Sequence, residues 1–118
     1  MTPVAQATHE ALAGISAGRG DVLEEALDLR ESLHEASGLD ARTFALVKIA
    51  TLIALDAPPA SYAWQVTGAI DAGVTAEEIL GVLRAVAPQV GAPRVVAAAP
   101  ELMLALGLSL PNGADDDL

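Results

Sequence analysis

The segment from Ala41 to about Leu55 restricts the possible folds of this chain more than any other. Its apolar residues, Phe44, Leu46, Val47, Ile49, Ala50, Leu52, Ile53 and Leu55, fall on nearly every side of a helical wheel. A helix without a polar face is stable only when protein surrounds it. The segment therefore predicts the central helix of a bundle. Elsewhere Ala and Leu, both good helix formers, dominate, and strand-favouring runs of Val, Ile and Thr are scarce. The expected fold class is all-α, a single helical domain of about six helices. A chain of 118 residues is long enough for one hydrophobic core and no more.

Capping and breaking signals divide the chain. From Thr8 to Ala17, Leu12 and Ile15 mark a short helix that stops at Gly18-Arg19-Gly20. Asp21-Val22-Leu23-Glu24 has capping-box spacing, with Asp21 as N-cap and Glu24 three residues on. The helix it opens sets Val22, Leu23, Ala26, Leu27, Arg30 and Leu33 against Glu24, Glu25, Asp28 and Glu31, and should end near Ser37-Gly38. Asp40 opens the central helix, and Asp56-Ala57-Pro58-Pro59 breaks it, because proline lacks a donor and restricts the residue before it. A fourth helix starts near Ala60 or Ser61, with Pro59 in its first turn, and ends at Ala72-Gly73. Thr75-Ala76-Glu77-Glu78 is a second capping box, opening a helix that carries Ile79, Leu80, Val82, Leu83 and Val86 and stops around Pro88 to Gly91. The last helix begins near Pro93, and Pro100 is expected to kink it or split it. The domain is expected over residues 1–107, with 108–118 as a flexible acidic tail.

The formal charge of −10 disfavours nucleic acid, which needs Lys and Arg to neutralise phosphates, and disfavours an anionic membrane surface. The longest apolar run, from Ile49 to Leu55, is far too short to span a bilayer. Met1-Thr2-Pro3-Val4 lacks the basic and apolar regions of a secretory signal, so a cytoplasmic location is expected. An apolar fraction of 53% is high for so small a domain and predicts an oligomer that buries part of that surface. The chain has no Cys, and a thiolate is the nucleophile of thiol-based peroxide reduction. No His, Asp or Glu cluster has metal-ligand spacing and no strand-linked Gly-rich loop offers a phosphate cradle, so no cofactor is expected.

Three pieces stand in order at fixed separation: Leu39-Asp40-Ala41-Arg42-Thr43, then Ala69-Ile70-Asp71-Ala72-Gly73-Val74-Thr75-Ala76-Glu77-Glu78-Ile79, then Val86-Ala87-Pro88-Gln89-Val90-Gly91-Ala92-Pro93. Together they resemble the carboxymuconolactone decarboxylase family, which includes the alkylhydroperoxidase D-like proteins, over residues 39–96. The resemblance implies an all-α trimer or hexamer. It also implies either decarboxylation of a muconolactone or peroxide reduction by a Cys-x-x-Cys-x-x-x-His motif. Counted back from Gly73, the motif positions fall on Pro58, Ser61 and Gln65; counted forward from Leu39 they fall on Ala57, Ala60 and Trp64. Neither register holds a thiol or an imidazole. The acid that peroxidase members carry falls at Ala45 or Leu46, and the His before Val-Ala-Pro is Ala85. Thiol peroxidase activity is excluded.

Two readings of the polar residues follow. In the first, a cofactor-free lyase acts on a small carboxylate or lactone. Lys48, Ser61 and Gln65 are its catalytic candidates, and Tyr62, Trp64, Arg84 and Gln89 contact substrate. Lys48 sits in an apolar helix, where burial would favour a neutral amine; Arg84 and Arg94 could hold a carboxylate bidentately. In the second, the oligomer binds a small ligand or serves as a scaffold without catalysis. Ser61 then caps its helix, Tyr62 and Trp64 fill core or interface, and Lys48 snorkels or pairs with an acid.

Overall fold

The structure, a computed structural model, describes residues 3–111. Residues 112–118, which hold the Asp run of the expected tail, lie outside that range. Among the described residues there are six helices and no strand. They fall into two compact units, one up to Leu39 and one from Asp40 onward.

The first unit holds α1 (Gln6–Ser16) and α2 (Asp21–Ser37), and neither helix has a buried residue. The expected N-cap of α2 is corrected here. Asp21 lies inside the helix, its carboxylate accepts from the adjacent Val22 N–H at 2.8 Å, and Gly20 is the cap residue, with no side-chain cap bond. Gly20 adopts φ 113°, which an L-residue resists. That conformation turns the chain into the helix one residue earlier than the carboxylate signal suggests. The C-terminus of α2 is closed locally. Ser37 Oγ donates to the His34 carbonyl at 2.6 Å and accepts from Leu39 N–H at 3.2 Å, while His34 Nε2 lies 2.9 Å from the Leu39 carbonyl. Gly38 ends the helix at φ 71°, as its position predicts.

The second unit packs α3 (Ala41–Leu55) against α4 (Pro59–Asp71), α5 (Ala76–Val90) and α6 (Ala92–Ala105); α6 also packs on α4 and α5. Asp40 caps α3 by accepting from Thr43 N–H at 2.7 Å. Thr75 and Glu78 complete a reciprocal capping box at the start of α5, and Arg42 pairs with Glu78 across the α3–α5 contact. Ala45, Ile49 and Ile53, four residues apart on α3, meet Tyr62, Val66 and Ala69 of α4, Val74, Ile79, Ala98 and Leu102 in the core. Complete burial of a side chain such as Ile49 or Ile53 contributes about 1.5–3 kcal/mol. The opposite side of α3 is not surrounded as expected: Val47 and Leu55 are exposed.

The ends of α1, α3, α4 and α6 close alike. An amide donates to the carbonyl five residues back (Arg19 to Gly14, Ala57 to Leu52, Val74 to Ala69, Leu108 to Met103), the six-to-one bond of a Schellman turn. The residue before each donor is left-handed: Gly18, Gly73 and Gly107 at three ends, and Asp56 (φ 52°) at the fourth. The prolines inside helices do not divide them. α5 continues through Pro88 and α6 through Pro100, so the expected split at Pro100 is not seen. Each proline removes one donor, leaving the carbonyls of Arg84 and Val96 without their helical partners. Both residues are exposed, and water can satisfy those oxygens.

Candidate functional site

The α3–α4 turn and the first turns of α4 hold the positions where a redox motif would fall. Pro58 is the extended N-cap, with no side-chain cap bond, and Pro59 is the first helical residue, preset in φ for that place. Ser61 therefore does not cap the helix; its N–H donates to the Pro58 carbonyl at 3.0 Å. Successive residues then diverge around α4. Tyr62 is buried in the core, Ser61 and Gln65 are half-buried, and Trp64 is 67% exposed. Ser61 and Gln65, four residues apart, share one helix face.

Lys48 is half-buried on α3, with its ammonium 5.1 Å from the Phe44 ring centroid. That geometry is a cation–π contact, in which the ring quadrupole attracts the charged amine. Arg84, Gln89 and Arg94 are exposed on α5 and α6. Among the described residues, the arginine engaged in an ion pair is Arg42, with Glu78.

Two carboxylates, Asp56 and Glu101, act on Tyr62. The phenol's pKa is raised above 10.0, first by burial and then by the negative charges of Asp56 and Glu101; both effects favour the neutral hydroxyl. Glu101 comes from α6 and Asp56 from the end of α3, so the fold assembles a group that spacing along the chain does not display. The one local sign was an acid at a helix end, where a negative charge opposes the macrodipole.

Of the hollows on this unit, two are lined by described residues of neighbouring helices. One, about 330 Å³, lies between α4 and α6, lined by Pro59, Ala60, Ala63, Glu101, Leu104 and Ala105. The other, about 310 Å³, lies between α5 and α6. Its floor is Ile79 and Leu102, both core residues, and its walls include Leu83, Met103 and Leu106. Among the described residues, Glu77 is the single charged one on that wall. Leu108 joins the wall because Gly107, at φ 79°, turns the chain back so that Leu108 N–H donates to the Met103 carbonyl at 2.8 Å. Neither hollow is lined by Lys48, Ser61, Tyr62, Trp64, Gln65, Arg84 or Gln89.

The α5–α6 hollow suits an apolar guest. The α4 hollow, walled mostly by small side chains and one carboxylate, offers no cation to hold an anion. Among the described residues no helix is long and apolar enough to cross a membrane. The family model described as "Carboxymuconolactone decarboxylase family" matches residues 20–102, more than half of the chain. No curated protein and no solved structure matches.

Proposed function

Because the chain belongs to the carboxymuconolactone decarboxylase family and has no cysteine, we propose that it is an oligomeric small-ligand-binding protein whose ligand lies in the α5–α6 hollow. The observation that carries this reading is the hollow itself. Its floor reaches Ile79 and Leu102, 1% and 4% exposed, so a guest there rests directly on the core. Ligand sites are mostly apolar concavities of about 300–1,000 Å³, and this one stands at the small end of that range. The oligomer is supported by large exposed apolar side chains, among them Val47, Leu55 and Trp64 in the second unit and Val22, Leu29 and Leu33 on α2. Surfaces of that kind usually mark partner sites.

The test is thermal unfolding with a panel of small apolar compounds, each also followed by amide chemical shifts. A true ligand at about a hundred times its Kd adds about 2.7 kcal/mol of stability and shifts Ile79, Leu83 and Leu102. A panel with no stabilising member and no shift at those residues defeats the reading.

A second reading, the cofactor-free lyase acting on a small carboxylate or lactone, is supported by one observation: Ser61 and Gln65 present hydroxyl and amide from the same face of α4. It also asks for a general base, which neither a hydroxyl nor an amide supplies. Lys48→Met and Gln65→Ala test it on any substrate that the protein turns over. A lyase of this kind loses kcat in both variants, and unchanged turnover removes the reading.

A further inference from the structure

We propose that the α5–α6 hollow discriminates by head group: it accepts small molecules with a hydrocarbon body and an amine head, and rejects carboxylates. This deepens the ligand-binding reading and rests on it. The hydrocarbon body follows from Ile79, Leu83, Leu102, Met103 and Leu106, which give no hydrogen bond to a buried polar atom. A polar group placed among them would lose its water without compensation. The head group has one side chain to meet, the carboxylate of Glu77 at the rim. An ammonium there gains a charge-assisted hydrogen bond, whereas a carboxylate meets a like charge.

The start of α5 does not reverse that sign. A helix N-terminus attracts anions through its unpaired N–H groups, but here Thr75 Oγ1 accepts from Glu78 N–H and Glu78 Oε1 from Thr75 N–H, which leaves the N–H groups of Ala76 and Glu77, in the same turn as two carboxylates. The carboxylates of Glu77 and Glu78 both stand in that first turn. Arg42, the cation that reaches this turn, is held by Glu78. A ligand carboxylate would therefore find an anionic rim and an engaged arginine. The chain as a whole, at −10, adds a long-range field of the same sign.

Octylamine, octanol and octanoate share a body and differ in head, so they serve as probes. Binding is measured by calorimetry and located by amide chemical shifts on the wild type, Glu77→Gln and a control, Glu25→Gln on α2. The expected order is amine, alcohol, acid, with the amine roughly threefold to fivefold tighter than the acid, the scale of an attraction and a repulsion that solvent screens. Glu77→Gln should bring the amine down to the alcohol, while Glu25→Gln leaves the order intact. Leu80→Trp, at the exposed rim, should weaken all three probes alike. Octanoate binding as tightly as octylamine, or an amine preference that survives Glu77→Gln, overturns the head-group inference while leaving the apolar site standing. Failure of all three probes to shift the residues of the hollow overturns the site itself. Loss of self-association when a probe binds would show a second copy to be the occupant and also ends the proposal.

Discussion

Asp56 is the residue that departs furthest from local preference. Three of the four similar helix ends put glycine in the left-handed position, and the fourth puts Asp56 there. An L-residue is disfavoured in that conformation, although Asp tolerates it better than most, and its negative charge faces the negative end of the α3 dipole. Asp56→Gly is therefore expected to stabilise the protein by about 0.5–1 kcal/mol, measured by urea unfolding at neutral pH. The same carboxylate helps to raise the pKa of Tyr62. A phenol whose folded pKa lies above its unfolded 10.0 holds its proton more tightly when folded. Its contribution is complete below pH 10.0 and is lost as pH rises through the folded value. Stability should thus fall on the alkaline side of that point, and Tyr62→Phe should flatten the fall. Tyr62 is the single tyrosine, so phenolate absorbance tracks the event directly.

Among the elements, the firmest boundary is the start of α5, where both halves of the capping box are formed. Thr75→Ala removes the acceptor for Glu78 N–H and should destabilise the second unit by about 1 kcal/mol, read as a lower urea midpoint at unchanged slope. Arg42→Ala should matter less, about 0.5 kcal/mol, because the Arg42–Glu78 pair is partly exposed and solvent screens it. Boundaries of this sort were open to reading from sequence because they are local: Asp40, Gly38, Pro59 and Thr75 act on donors and acceptors within a few residues. Asp21 misled because Gly20 turned the chain earlier, and composition alone does not show a backbone angle. That α3 belongs to the core was legible from its want of a polar face, but not which side of that helix stays bare. The site was harder. Asp56 and Glu101 approach Tyr62 from different helices, and the α5–α6 hollow exists only where two helices meet. No periodicity along one helix reports such a meeting.

At the level of the whole molecule, apolar side chains outnumber what one chain covers. Neither α1 nor α2 buries a residue, although α2 carries Val22, Leu27, Leu29 and Leu33 in exposed positions. A short helix pair without a core has little stability of its own. Light scattering is expected to give a mass that is a multiple of 12.0 kDa, and the double substitution Leu29→Glu with Leu33→Glu is expected to lower it. A monomer at micromolar concentration would contradict this.

The proline within α6 has its own consequence. Pro100 has neighbours on the hollow's wall, Ala99 on one side and Leu102 and Met103 on the other, so that wall runs on unbroken but lacks one rung of its hydrogen-bond ladder, at the Val96 carbonyl. Deuterium uptake should accordingly divide α6 into two blocks with different exchange rates. The block that gains protection when the hollow is filled will show which side of the missing rung a guest steadies.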